Sequence, residues 1–364
     1  MIDNVTDRVK VVAAAFQSWI RDSSSGLSEA KARTVSEGFF PDHDANYSIQ
    51  CFGRQVTESS LMSWIEEQLS GLPAIIPQKI LCLHAGNLPM VGLQDVIACL
   101  VLGHKYYGKI SRKDPYLIPS FLSYFKRQNP DAPVVWSTNL DDYRQLGADA
   151  VLFSGSEDAV PEVRKTLEQD RMVKSDTSYL IRTAHFSIAY LDKDDPAYLK
   201  ALSDAVVRYE GKGCRSVAII VSPLSLRSQQ CHLTDYFEAF WTANPEIVNQ
   251  NPKLRYRMAY NKAIDRSQAM LDKFLIEESD PDLEENVIYW QQGGPELVRE
   301  LSDRFREQVQ NIYITGSHVS IPGFEDTSDR IDFLNRAQCP KISWKPDGID
   351  VLKWLANLST GNPP

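Results

Sequence analysis

Six side chains in this sequence are cysteines, at 51, 82, 99, 214, 231 and 339, and a thiolate is the strongest nucleophile a protein can offer at neutral pH. None is spaced as Cys-x-x-Cys, so neither a zinc cage nor a dithiol redox pair is indicated. Cys214 is set apart by its neighbours, because Glu210-Gly211-Lys212-Gly213-Cys214-Arg215-Ser216 leads into an apolar strand. The two glycines let a ligand approach the backbone closely. Lys212 and Arg215 would favour a thiolate if their charges lie near the sulfur. Cys82 reads as part of a strand and Cys99 as part of an apolar helix, where a thiol is inert filling. Cys51 groups with them, and Cys339, before Pro340, is loop-like. Cys231 beside His232 is a competing Cys/His pair, although adjacent helical residues point in different directions. His185 supplies the base that a thiol nucleophile needs. Standing alone it also reads as an ordinary loop histidine.

A second group of residues could hold an anion. Three segments end apolar runs in small polar residues: His84-Ala85-Gly86-Asn87, Lys109-Ile110-Ser111 and Ser154-Gly155-Ser156. Ligands of open parallel sheets bind outside the carboxyl ends of the strands, and helix N-termini there receive anions. Lys109 could reach a phosphate or a ribose hydroxyl. Singly, each segment reads as turn and capping chemistry, with Gly86 and Gly155 as turn glycines and Ser156 as a helix cap. Together they point to a nucleotide site. The sequence contains neither Gly-x-Gly-x-x-Gly nor a P-loop.

These residues need a scaffold, and periodicity outlines one. Val9, Val12, Ala13, Phe16 and Ile20 lie on one helical stripe, as do Leu61, Trp64, Ile65 and Leu69. The first ~70 residues therefore read as helix-rich, with 24–30 and 40–55 as loops. From residue 79, strands alternate with helices up to about 191, which implies parallel pairing and a doubly wound α/β domain. A helix at 196–209 leads to the Cys214 turn and the strand SVAIIVSP. Helices are expected over 230–242 and 246–274, and an exposed acidic connection over 277–286. Strands near 286–291 and 311–315 suggest a second α/β layer, and DGIDVLKWLANL ends the pattern as an amphipathic helix.

Composition sets the outer limits. Thirty-nine Lys and Arg against 48 Asp and Glu give a net charge of −9 over 364 residues, which argues against a nucleic-acid or anionic-membrane binder. With 43% hydrophobic and 24% charged residues the chain is of globular type. No apolar run reaches the ~18 residues of a membrane span. The opening MIDNVTDRVK has no apolar signal core, so no secretory leader is expected. The cytoplasm is the expected compartment, with reduced thiols.

The order HAGNLP, GHKYYGKIS, VLFSGSED, GKGCRS resembles the aldehyde dehydrogenase superfamily, and within it the acyl-CoA reductase branch typified by the long-chain fatty acyl-CoA reductase of bacterial bioluminescence. The resemblance runs from about 79 to 221 and, more weakly, through RAQCPKISWKPDGIDVL. It implies a Rossmann-type cofactor domain and a second α/β catalytic domain, and NADPH or NADH as cofactor. Residue by residue, it makes Cys214 the nucleophile, Asn87 an oxyanion-hole donor, and Lys109, with Ser111 near it, a contact for the adenosine ribose or its phosphate. Gly155 and Ser156 become the Gly-Ser that opens the pyrophosphate helix. His185 falls near the superfamily's glutamate base, where Arg182-Thr183-Ala184-His185-Phe186-Ser187 replaces Glu-Leu-Gly-Gly-Lys. Loss of that glutamate disfavours oxidation of free aldehydes, which needs an activated water, and leaves reduction of an acyl-CoA. The Glu-x-Phe segment that holds the nicotinamide ribose is not recognisable, and 317–324 is the nearest region.

The domains expected are 1–204 for the helical segment and cofactor domain, 205–340 for the catalytic domain, and 341–364 docking back on the body. The expected partners are an acyl-CoA or other acyl thioester and a second copy of the chain or an acyl-transferring protein, with no nucleic acid, membrane span or metal. Two other readings use the same residues. One is an acyl-phosphate reductase, for which no Arg cluster is evident. The other is a non-catalytic nucleotide- or acyl-binding relative, suggested by the missing ribose segment.

Overall fold

Helices open the chain: α1 Val5–Arg21, α2 Leu27–Ser36, α3 Asp42–Gln55 and α4 Glu58–Leu69. The stripe Val9, Val12, Ala13 and Phe16 of α1 is buried as its period requires, with Trp19 beside it. The segments expected as loops at 24–30 and 40–55 lie largely in α2 and α3. Helix α3 buries Ala45, Ile49 and Cys51, but most of its other side chains are polar, which masks the period.

The computed structural model describes residues 4–69, 75–245, 251–316, 319–324 and 330–358. The chain divides into two units, Met1–Thr183 with Lys341–Pro364, and Ala184–Pro340. The first unit continues with β1 Lys79–Leu83, α5 Leu93–Leu102, β2 Lys105–Lys109, α6 Leu117–Gln128, β3 Val134–Ser137, β4 Ala148–Ser154, α7 Val160–Gln169 and β5 Val173–Arg182. Its sheet has the order β3-β2-β1-β4-β5 and is parallel throughout. This is the doubly wound order, with its switch point between β1 and β4. Both faces must be covered, and α5 is accordingly buried all round.

The second unit contains β6 Phe186–Tyr190, α8 Pro196–Val207, β7 Val217–Ser222, α9 Leu226–Ala243, α10 Pro252–Ala263, β8 Gln268–Leu271, β9 Phe274–Glu277, β10 Val287–Gln292, α11 Pro295–Arg304, β11 Val309–Ile314 and β12 Ile331–Phe333. Its order is β12-β11-β6-β7-β10-β9-β8, parallel except for the β8–β9 hairpin. The helix expected over 246–274 is α10 followed by that hairpin, and its first residues, 246–250, lie outside the described residues. Asp272, at a left-handed φ of 57°, makes the turn. The acidic connection is only partly exposed: Glu277 is fully buried and accepts two hydrogen bonds from Arg257, at 2.9 and 3.0 Å. The division at 183/184, rather than 204/205, follows from β6, which pairs with β7 and β11.

After β12 the chain returns to the first unit with α12 Val351–Asn357. Gln94 of α5 donates to the carbonyls of Ile342 and Trp344, at 2.7 and 2.6 Å. Asp350 caps α12 through Lys353 N and also accepts from the indole of Trp64, both at 2.9 Å. Among the described residues no helix is long and apolar enough to cross a membrane. Asp350→Ala removes a helix cap and leaves a buried indole donor unmet, which together cost roughly 2–3 kcal/mol. Urea denaturation checks this, and a loss below about 0.5 kcal/mol would contradict the dual role.

Candidate active site

In the first unit, the carboxyl ends of neighbouring strands β2, β1 and β4 gather five of the residues singled out by sequence. Leu83 pairs with Lys109 and with Phe153, so the segments after these strands emerge side by side. Asn87 is exposed on the loop after β1, and Gly155 and Ser156 are exposed after β4. Ser156 occupies the cap position of the following turn, but its side chain makes no capping bond. Lys109 is half-buried, and burial followed by repulsion from Arg112 lowers its pKa. The Ser111 hydroxyl accepts from Lys113 N at 3.2 Å.

Two close approaches shape this edge. A Cβ on Gly86 would lie 2.1 Å from Ser111 Oγ, so only glycine lets the β1 and β2 loops meet. A Cβ on Gly155 would lie 2.6 Å from the Phe153 ring. Side-chain-free backbone, small hydroxyls and the Lys109 and Arg112 cations make an edge that fits a dinucleotide's phosphates and ribose.

The loop carrying Asn87 is anchored by a carboxylate from the segment between β2 and α6. Asp114 is buried and accepts from Met90 N at 2.7 Å. Met90 takes a φ of 59°. His84, at the loop's root, is also buried, and its Nε2 shares a 2.7 Å bond with the Tyr106 hydroxyl. Burial pushes its pKa down to about 4, so it is neutral near pH 7 and acts in packing. Arg182, in the segment that replaces the superfamily glutamate, is locked onto Asp95 at 2.8 Å.

In the second unit, Cys214 and His185 stand at the amino ends of adjacent strands. Ser187 of β6 pairs with Val217 of β7, and Ser187 N donates to Ser216 O at 2.9 Å. Ser187 Oγ donates to the Cys214 carbonyl at 2.9 Å and is hydrogen-bonded to the Tyr313 hydroxyl. Gln338 donates to Ser216 Oγ at 3.3 Å and to Ala205 O at 3.1 Å, bracing the turn from behind. Cys214 is partly exposed and His185 exposed, with His185 N bonded to Gln308 O at 2.9 Å. A cavity of about 330 Å³ is lined by His185, Glu210, Lys212, Ser216, Glu285 and Gln308 among others. A larger groove in this unit, lined by Phe237, Trp241 and Met270, includes neither His185 nor the Cys214 turn.

The approach to Cys214 is strained. Tyr209 and Glu210 have φ of 56° and 55°, and Gly211 has 69°. The left-handed region costs an L-residue roughly 1–2 kcal/mol. Lys212 is paired with Glu210. Arg215, next to Cys214, is a cation whose charge acts on Tyr313. Cys82, Cys99, Cys214 and Cys231 carry thiols, with Cys82 and Cys99 buried. Cys51 and Cys339 do not carry free thiols, which corrects the expectation of six reduced thiols, since spacing along the chain does not report pairing in space. His232 is exposed and bound to Asp194 at 2.8 Å, which weakens the Cys231/His232 alternative. The Ser187, Tyr313 and Gln338 braces have no motif, because they come from three distant segments.

The fold is that of the aldehyde dehydrogenases. Methylmalonate-semialdehyde dehydrogenase from Oceanimonas doudoroffii superposes with a TM-score of 0.66 at 14% identity, over 96% of this chain and 85% of that one. Glyceraldehyde-3-phosphate dehydrogenase from Methanocaldococcus jannaschii, complexed with NADP, gives 0.64 at 12% identity, over 98% and 88%. A comparison with curated protein sequences finds no match. The acyl-CoA reductase (LuxC) family model matches residues 56–280, and the chain belongs to that family. It is an oxidoreductase that reduces an acyl-CoA to an aldehyde with NADPH or NADH.

Asp114 gives this region a pH signature. Its pKa is raised to about 6, burial outweighing the bonds from Met90 and Leu117. The folded protein thus holds this proton more tightly than the unfolded chain. Its stabilising contribution is complete below about pH 4 and lost as pH rises through 6, roughly 3 kcal/mol in all. Carbon-13 NMR of the Asp114 carboxyl should give a midpoint near 6, and a midpoint near the ordinary value of about 4 would contradict the burial argument.

Proposed function

We propose that Cys214 carries the acyl group as a thioester during the reduction. The observation that supports this most is its partly exposed thiol at the start of β7, with His185 at the start of neighbouring β6. The Cys214 thiolate adds to the thioester carbonyl, having passed its proton to His185. The Cys214 backbone N–H donates to the oxyanion, a type of contact worth ~3–4 kcal/mol in the transition state, and the resemblance makes Asn87 the second donor. The carbon–sulfur bond to coenzyme A breaks, and His185 returns its proton to the departing thiolate. NAD(P)H supplies the hydride that reduces the acyl-cysteine. The resulting alkoxide expels the Cys214 thiolate and leaves as aldehyde.

Lys109, Ser111, Gly155 and Ser156 are proposed to hold the cofactor: Lys109 and Ser111 at the adenosine ribose or its phosphate, Gly155 and Ser156 at the pyrophosphate. Glu210 lines the same cavity as His185 but is a poor candidate for the base. Burial would raise its pKa, yet Lys212 and Lys273 hold it below the usual carboxylate range. The partners this reading calls for are the acyl-CoA itself and a second copy of the chain or an acyl-donating protein. The cytoplasm, with its NAD(P)H, is the proposed compartment.

The test follows NADPH absorbance with an acyl-CoA panel and the matching acyl phosphates. Wild type should turn over acyl-CoA, and Cys214→Ala should lose at least about 10³-fold. Lys109→Met should raise the cofactor KM about tenfold while leaving acylation by acyl-CoA, which needs no cofactor, at its normal rate. Full turnover by Cys214→Ala, or preference for acyl phosphate, would refute the assignment.

A further inference from the structure

The segment before Cys214 has three consecutive left-handed residues, two of them not glycine, and such a path persists only where its surroundings hold it. The hold comes from the turn between β8 and β9. Lys273 Nζ lies 3.0 Å from Glu210 Oε1, and Lys212 binds the other carboxylate oxygen. Lys273 is only 9% exposed, so its charge is largely withdrawn from water where it meets Glu210. Its ammonium also sits 5.4 Å from the centre of the Trp241 ring, and its carbonyl accepts from Asn286 Nδ2 at 3.1 Å. The next residue, Phe274, packs on Gly211, where a Cβ would lie 3.0 Å from the ring and 3.3 Å from Val206 O. One turn thus grips two successive residues of the segment, Glu210 by charge and Gly211 by shape.

We infer that the Glu210–Lys273 ion pair is a positioning pair for the nucleophile: it fixes the left-handed path that presents Cys214 to the acyl carbonyl. The inference rests on Cys214 being the acylated residue. The pair touches neither substrate nor sulfur in this role; it acts through the backbone of residues 210–214. Without the Lys273 charge, Glu210 keeps only exposed Lys212, and the segment relaxes toward ordinary backbone angles. The thiol then moves, and a displacement on the order of 1 Å can cost about a hundredfold in rate.

Lys273→Met, Lys273→Arg, Glu210→Gln and Cys214→Ala, prepared as full-length protein, are compared by single-turnover acylation with an acyl-CoA, followed by intact mass. Thermal melting gives the folded fraction of each. The expected result is a ten- to roughly hundredfold slower acylation per folded molecule in Lys273→Met and Glu210→Gln, with half-saturation by acyl-CoA changed by less than about threefold. Lys273→Arg, which keeps the charge, should recover most of the rate, a rescue that mere loss of packing would not give. Should Lys273→Met fail to fold, Glu210→Gln against Lys273→Arg carries the same comparison. Acylation at the wild-type rate in folded Lys273→Met or Glu210→Gln, with Cys214→Ala inert, overturns the positioning pair and leaves the nucleophile standing. Acylation of Cys214→Ala overturns both.

Discussion

A parallel strand cannot turn back on itself. Each one is followed by a crossover, the crossovers bring helices to both faces, and the faces are sealed from water. Only the strand ends are left for polar chemistry, and both sheets of this protein obey that constraint. The five-stranded sheet places Lys109, Ser111, Gly155 and Ser156 at carboxyl ends around its switch point, where loops open into helices. The seven-stranded sheet uses its amino ends instead, with Cys214 before β7 and His185 before β6. The two sites follow from one packing rule applied at opposite ends of strands.

Strand ends are loops, and loops need anchoring before they can hold a reacting group. Here the anchors are buried polar groups with named partners. Asp114 holds the Asn87 loop through Met90 N, and Ser187 holds the Cys214 carbonyl. Arg182 is neutralised by Asp95, and Glu277 by Arg257. A buried charge without such a partner would cost several kcal/mol, so each pairing removes alternatives as well as satisfying a group. The glycines act by absence: Gly86, Gly155 and Gly211 sit where a Cβ would strike a neighbour.

Sequence reading reached the parts of this molecule whose signals are local. The strand-helix alternation from 79 to 191, the polar strand ends and the glycine-flanked Cys214 are each contained in a dozen residues. Four short segments in the right order then sufficed to indicate the superfamily and its reductive branch. What escaped was set by distant neighbours. Helix α3 shows too few apolar residues to declare its face, and β8 and β9 hid within a stretch whose apolar residues also suit a helix. The unit boundary at 183/184 carries no local signal, because β6 looks like any strand until its partners β7 and β11 are known. The pairing of Lys212 with Glu210, two residues before it, carries no sequence signal of its own. Lys273, sixty-three positions from Glu210 along the chain, could not be connected to it by any spacing rule.

The account turns on one covalent bond, between an acyl carbon and the sulfur of Cys214. The most direct measurement is to mix the protein with an acyl-CoA in the absence of NADPH and NADH, quench at mildly acidic pH, digest, and map the acyl group by mass spectrometry. The account predicts a single acyl adduct, labile to hydroxylamine, on the peptide containing Gly213-Cys214-Arg215, with one coenzyme A released per adduct. An acyl group found on Cys231, or acyl-CoA left intact by a protein that still reduces it when cofactor is added, would contradict it.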